Sequence, residues 1–210
     1  LMFPIFDKDG NAVALGGRIL QGEGPKYINS PEMPHYKKRE ILYAYNFAKK
    51  SIREKKCVIL CEGYMDAIAY HQCNIDYAVA PLGTAFTEQQ VRILRPFIDT
   101  VLLSFDSDGA GQNATIKAIL MCRKMDLSVK IIQLKGGKDP AEIMLNFGAD
   151  VLTNFVNSAI LDNDFLLSKL QEKYPKKTPE NKIRAALDFF PYVDSLSSDI
   201  QKESTLEQFA

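Results

Sequence analysis

Acidic residues follow three of the four short apolar runs in the middle of the sequence. Glu62 follows the first run, Asp106 and Asp108 follow the third, and Asp139 comes shortly after the fourth. Carboxylates brought to one place repel each other and resist burial unless a cation lies among them. Oxygen ligands without His or Cys suit hard ions such as Mg²⁺ or Mn²⁺. These four acids are therefore candidate metal ligands.

The elements that must position these acids can be predicted from the apolar pattern. Continuous apolar runs alternate with stretches of helical character, which is typical of a parallel sheet covered by helices on both faces. The predicted strands are 57–61, 77–80, 100–105 and 128–134, and the predicted helices between them are 64–72, 87–94 and 110–124. In such α/β sheets ligands bind outside the carboxyl ends of the strands, which is where the acids are placed.

The same acids also have an ordinary structural interpretation. The stretch 106–109 is typical of a solvated turn that caps a helix, since Asp and Gly favour turns. Asp66 falls in the first turn of the next predicted helix, where the helix dipole favours an acid regardless of function. Asp139 precedes Pro140, which is a common helix start. Residue types and spacing alone leave both interpretations open.

The segments on either side of this region have different patterns. Residues 2–6 and 13–20 are predicted strands around a turn at 7–10, and residues 37–54 are predicted to be helical. The last sixty residues contain only helical patterns, at 161–173 and 181–192. The predicted division is a basic N-terminal subdomain at 1–56, a metal-binding domain at 57–150 and a helical subdomain at 151–210. We expect the first of these to be truncated at its start.

Charge is distributed unevenly along the 210 residues. The totals cancel, with 26 Lys and Arg against 26 Asp and Glu, but residues 1–56 carry a balance of +5, residues 57–150 of −3 and residues 151–210 of −2. A basic first segment suits a phosphate backbone and an acidic middle segment suits cations. The 46% apolar content excludes a disordered chain.

The sequence also bears on location and on zinc. No apolar run approaches the ~18–20 residues that cross a bilayer, and no secretory leader is visible, so we expect a cytoplasmic protein without membrane association. The four cysteines form no CxxC pair and have no nearby His at zinc-finger spacing. We expect reduced, buried thiols and no zinc in this segment.

Several motifs are more specific than this physical pattern. The stretches Glu-Gly-Tyr-Met-Asp (62–66), Pro-Leu-Gly-Thr-Ala (81–85) and Phe-Asp-Ser-Asp-Gly-Ala-Gly (105–111) resemble the Toprim domain of bacterial DnaG-type replicative primases. Residues 16–20 and the Lys-Tyr-Ile-Asn-Ser-Pro-Glu stretch at 26–32 are similar to the amino-terminal part of the same catalytic core. The helical remainder suits the third subdomain of that family.

The resemblance implies a DNA-directed RNA polymerase that makes short primers on single-stranded DNA from ribonucleoside triphosphates, with Mg²⁺ or, as a substitute, Mn²⁺. It implies catalytic roles for Glu62, Asp106 and Asp108. The implied metal-binding acids are Glu62, Asp66, Asp106, Asp108 and Asp139, and the implied nucleotide- or DNA-binding residues are Arg18, Lys26 and Lys38. The replicative helicase is an expected partner through a domain that this chain lacks.

One position departs from the family pattern and keeps alternatives open. The family commonly has a further acid where this chain has Ala141, and Glu142 is adjacent. The number of bound metals is therefore open. The alternatives are another Toprim enzyme, of nuclease or topoisomerase type, or a non-catalytic module that only binds nucleic acid.

Overall fold

The computed structural model describes residues 1–106, 109–176 and 178–210, which form two β-sheets and a set of surrounding helices. The strands are β1 (Met2–Phe6), β2 (Ala12–Arg18), β3 (Tyr27–Asn29), β4 (Cys57–Cys61), β5 (Ala78–Val79), β6 (Thr100–Ser104), β7 (Ser128–Ile131) and β8 (Ile160–Leu161). The helices are α1 (Tyr45–Lys55), α2 (Tyr64–Gln72), α3 (Glu88–Leu94), α4 (Gly109–Arg123), α5 (Pro140–Phe147), α6 (Ala149–Asn157), α7 (Asp162–Lys173), α8 (Pro179–Ser195) and α9 (Asp199–Phe209). The mixed α/β class predicted from the sequence is confirmed.

The first sheet is antiparallel, with strand order β1-β2-β3. The turn between β1 and β2 forms because the Asp7 carboxylate accepts hydrogen bonds from the backbone N–H groups of Asp9 and Asn11, both at 2.9 Å. Gly10 completes this turn with φ of +92°, a conformation that side-chain-bearing residues rarely adopt. The predicted hairpin is therefore present, and its second strand spans Ala12–Arg18 rather than the predicted 13–20.

The second sheet has the strand order β5-β4-β6-β7-β8. Its first four strands are parallel, as the alternating pattern predicts. The fifth, β8, is a two-residue antiparallel strand that pairs with Lys130 and Ile131 at the edge. The expectation that the segment after residue 150 is purely helical is wrong at this strand, because two residues paired across the sheet leave no periodic signal in the sequence.

Helices cover both faces of the second sheet. The side chains of β4 alternate between two apolar clusters: Val58 and Leu60 pack in one, while Ile59 and Cys61 pack in the other. All four are essentially inaccessible to solvent, which is why this strand consists of continuous apolar residues. The four cysteines are free thiols, and three of them are buried. Burial raises the pKa of the Cys122 thiol to about 12.

The predicted helix over residues 37–54 is wrong over its first eight residues, 37–44. A short 3₁₀ turn at Lys38–Glu40 is followed by extended backbone, and α1 begins only at Tyr45. Tyr43 pairs with Ala80 beyond the end of β5, with its N–H donating to the Ala80 carbonyl at 2.8 Å. Ala44 then adopts a left-handed conformation before the helix. This tertiary pairing overrides the local helical spacing.

Of the last three helices, α7 contacts β7 and β8 at the sheet edge, α8 packs against α4 and α7, and α9 packs against α8. Their main polar contact is a pair of hydrogen bonds from Arg123 to the Asp162 carboxylate, both of 2.6 Å, with Asp162 fully buried. Within the described part of the chain, no helix has the length and apolar character needed to cross a membrane.

Candidate active site

A cavity of about 570 Å³ lies between the first sheet and the carboxyl edge of the second. Its two walls carry opposite charge. One wall contains the acids Glu62, Asp66, Asp106, Asp139 and Glu142, and the other contains Arg18, Lys26, Tyr27 and Asn29. The acids meet in one cavity because they follow strands whose carboxyl ends lie at the same edge of the sheet, as the parallel arrangement predicts.

Glu62 and Asp106 are tied together at the ends of β4 and β6. Glu62 Oε1 accepts a hydrogen bond of 2.9 Å from the Asp106 backbone N–H. Gly111, in the first turn of α4, allows this approach: a Cβ there would lie 2.2 Å from the Asp106 carbonyl oxygen and 2.8 Å from Glu62 Oε1. The small residue is thus required by the close packing of these two acids.

Asp66 is the most deeply buried acid of the cavity, with 8% of its surface exposed. It lies in the first turn of α2, and its Oδ2 accepts a hydrogen bond of 3.0 Å from the Gly63 N–H. Burial, followed by the charge of Asp139, raises the pKa of Asp66 to about 7; Asp106 and Glu62 add to the rise. An acid set with this mutual repulsion is chemically suited to a bound cation.

Asp139 caps the N-terminus of α5. Its Oδ1 accepts from the Glu142 N–H at 2.8 Å, and Glu142 Oε2 accepts from the Lys138 N–H at 2.9 Å. Ala141 and Glu142 both face the cavity. Glu142 therefore supplies a carboxylate at this wall although Ala141 occupies the position of the family's further acid.

The basic wall is organised around the ring of Tyr27. The Arg18 guanidinium lies 5.5 Å and the Lys26 ammonium 6.0 Å from the ring centroid. Burial raises the pKa of Tyr27, Arg18 opposes the rise, and Asp66 and Asp139 strengthen it. The Tyr27 hydroxyl thus experiences the charge of both walls.

The structure brings most of the predicted residues together. Glu62, Asp66, Asp106, Asp139, Arg18 and Lys26 all line the cavity. Lys38 does not: it lies in the 3₁₀ turn, where its backbone N–H donates to Glu32 and its carbonyl accepts from Gln90. Asp108 lies outside the described residues. Among the residues that are described, no three His, Cys, Asp or Glu side chains are arranged closely enough to hold a metal ion.

Sequence reasoning missed several residues of the cavity. Lys138 lines it directly before Asp139, and its position after the last parallel strand was the available signal. Asn29 and Tyr64 also line it. Both lie inside the motifs quoted above, but nothing in the local pattern shows that they meet.

Comparisons with known proteins agree with this geometry. A family profile described as Toprim-like matches residues 59–144, and one described as the N-terminal domain of the DNA primase catalytic core matches residues 1–49. DNA primase of Treponema pallidum is 41% identical over the whole chain, and DNA primase of Geobacillus stearothermophilus is 35% identical. The chain belongs to the DnaG-type primase family. It spans about a third of the length of these relatives, 35% in both cases.

Solved primase structures share the fold. A DNA primase domain from Pseudomonas aeruginosa matches with a TM-score of 0.88 at 30% identity, covering 99% of this chain and 66% of that one. A DnaG primase catalytic domain bound to single-stranded DNA matches with a TM-score of 0.86 at 28% identity, covering 99% of this chain and 68% of the other. Toprim domains and primases generally use divalent metal ions.

Proposed function

We propose that this chain is the nucleotidyl-transfer core of a DNA primase, which joins ribonucleotides into a short RNA on a single-stranded DNA template. The observation that carries the proposal is the cavity whose cationic wall, Arg18 and Lys26, faces a wall of carboxylates. A nucleoside triphosphate has anionic oxygens for the first wall and, as a metal complex, a cation for the second. The DNA-primase relatives support the same reaction.

The carboxylates are proposed to hold divalent metal, with Mg²⁺ as the natural ion and Mn²⁺ as a substitute. One or two of Glu62, Asp106 and Asp139 would hold it directly and water would bridge it to the others, since no three described acids lie close enough to share one ion. Asp66 would be a supporting acid, and Asp108 is included because it follows Asp106 in the same motif. A divalent ion there would neutralise triphosphate charge and lower the pKa of the attacking 3′-hydroxyl. The acid-only donor set and the raised pKa of Asp66 fit such a cation.

The basic wall is proposed to hold phosphate. Arg18 presents a planar guanidinium suited to two phosphate oxygens, and Lys26 presents a compact charge beside it. The charged groups of both side chains lie over the Tyr27 ring, which helps to fix their positions. Binding by these groups should weaken steeply with salt. For Lys38, outside the cavity, a DNA contact stays a prediction.

The remaining assignments follow from the proposed reaction. The division at residues 56 and 150 places the phosphate-binding sheet and the acidic sheet in separate subdomains, with the helical subdomain at 151–210. Ribonucleoside triphosphates and single-stranded DNA are the proposed substrate and template. A cytoplasmic location and association with the replicative helicase through another part of the protein are proposals of the same kind.

The test is primer synthesis on single-stranded DNA with labelled ribonucleotides and Mg²⁺ or Mn²⁺. We expect template-dependent RNA from the wild-type chain and its loss in Asp106→Asn. Asp199→Asn is the matched control, because this carboxylate is fully exposed and distant in sequence from the sheet edge. Metal-dependent cleavage of DNA without RNA synthesis would instead indicate a nuclease. DNA binding without metal binding would indicate a non-catalytic module.

A further inference from the structure

Asn29 connects the two walls of the cavity through both atoms of its amide. Its Nδ2 donates a hydrogen bond of 2.9 Å to the carbonyl oxygen of Leu82, beyond β5. Its Oδ1 accepts a hydrogen bond from the hydroxyl of Tyr64. Asn29 belongs to β3 of the first sheet, whereas Leu82 and Tyr64 belong to the part of the chain that forms the second.

Tyr64 is placed to transmit this connection to the acids. It is the first residue of α2, two residues after Glu62 and two before Asp66. Its ring packs against three aromatic rings of the preceding segment, with centroid distances of 5.5 Å to Phe3, 6.0 Å to Tyr27 and 4.6 Å to Tyr43. The first turn of α2, which contains Asp66 and follows Glu62, is thus packed against aromatic side chains of the N-terminal segment.

Two glycines leave the space that the connection occupies. A Cβ at Gly16 would lie 2.7 Å from Tyr64 Cε2 and 3.0 Å from Asn29 Oδ1. A Cβ at Gly83, whose φ is +70°, would lie 2.9 Å from Asn29 Nδ2. The lack of a side chain at Gly16 therefore leaves room for Tyr64 and Asn29 to meet.

We propose that Asn29 is a positioning residue that fixes the separation of the basic and acidic walls through its hydrogen bonds to Tyr64 and Leu82. The inference rests on the proposed function, because a ligand that bridges the walls requires them at one distance. A separation fixed before binding removes part of the ordering cost of binding. Loss of the connection should therefore weaken binding of the bridging ligand more than binding of a metal ion at the acidic wall.

The first experiment removes only the hydroxyl, in Tyr64→Phe, which keeps the ring contacts. The matched control is Tyr43→Phe, whose ring also packs on Tyr64 and whose hydroxyl has no hydrogen bond recorded within the described residues. We expect Tyr64→Phe to raise KM for ribonucleotide by about fivefold to tenfold, the effect of one hydrogen bond. The value of kcat should change by less than about twofold. The affinity for Mn²⁺, measured by electron paramagnetic resonance, should also change by less than about twofold.

The second experiment adds Asn29→Ala in the wild-type and Tyr64→Phe backgrounds. If Asn29 acts through Tyr64, the two substitutions together should raise KM clearly less than the product of their separate effects. Independent effects that multiply would overturn the proposal and make Asn29 a direct ligand contact. An effect of Tyr64→Phe no larger than that of Tyr43→Phe would overturn it as well.

Hydrogen–deuterium exchange separates this inference from the proposed function. Without any nucleotide, Tyr64→Phe should speed amide exchange in β3 (Tyr27–Asn29) by about fivefold or more, whereas Tyr43→Phe should not. Unchanged exchange in β3 would contradict the connection even if the chain makes primers. Faster exchange in a chain that makes no primers would support the connection and contradict the proposed reaction.

Discussion

Asp66 should make the metal-free protein lose stability as the pH rises. Its pKa is about 7 in the folded chain, against about 3.9 for an unfolded Asp. Between these values the unfolded chain releases a proton that the folded chain keeps, so the folded state is favoured at low pH and loses this advantage as pH rises towards 7. With about 1.36 kcal/mol for each pKa unit, the loss between pH 5 and pH 8 comes to about 2.5 kcal/mol.

The assay compares the wild-type chain with Asp66→Asn. The asparagine keeps an oxygen that can accept from the Gly63 N–H, as Asp66 does, but it cannot ionise. Urea unfolding is followed at pH 5, 6, 7 and 8 in the presence of a chelator. The unfolding free energy of the wild type should fall by about 2.5 kcal/mol more than that of the variant over this range.

Other carboxylates titrate in both chains, so the comparison of the two pH profiles isolates Asp66. Asp99→Asn serves as the control, since the Asp99 side chain is 72% exposed, and its profile should run parallel to that of the wild type. Parallel profiles for Asp66→Asn and the wild type would refute the reasoning, because they would mean that Asp66 ionises in the folded chain as easily as in the unfolded one.

Three further predictions concern the ion, the core and the close approach at the site. Adding Mg²⁺ to 100 times its dissociation constant at pH 8 should raise the unfolding free energy by about 2.7 kcal/mol. An unfolding free energy that Mg²⁺ leaves unchanged would contradict metal binding. Asp162→Asn should lower that free energy by about 3 kcal/mol in urea unfolding, because it leaves the Arg123 charge without its buried partner. Gly111→Ala should lower primer synthesis about 100-fold by displacing Asp106, whereas Gly109→Ala, where a Cβ would meet no atom within 4 Å, should have a much smaller effect.

The parallel sheet and its acidic edge could be predicted because their signals are local. Helix α2 begins and ends where the pattern places it, at Tyr64 and Gln72. Helix α3 begins within one residue of its predicted start, at a capping box in which Thr87 Oγ1 accepts from the Gln90 N–H and Gln90 Oε1 accepts from the Thr87 N–H. Caps of this kind depend on residues three apart, so the sequence contains them in full.

The features that escaped prediction all depend on residues far apart in the chain. The late start of α1 follows from pairing of Tyr43 with Ala80, and β8 exists only because β7 offers an edge. The Asn29–Tyr64 contact spans 35 positions. Periodicity reports which side of an element is buried, but it does not report which distant residue buries it.

The neutral total charge of the chain has a structural counterpart at the cavity. Opposite walls this close could have cancelled each other through direct ion pairs, yet the salt bridges found within the described residues involve neither Arg18 nor Lys26. Both cations lie over the Tyr27 ring instead. Burial first, and then the charges of Asp139, Asp106 and Glu62, raise the pKa of Asp66, so the acids still repel one another. Because each wall retains its charge, the metal-bound triphosphate that we propose as ligand would satisfy both walls, since it carries anionic groups together with a cation.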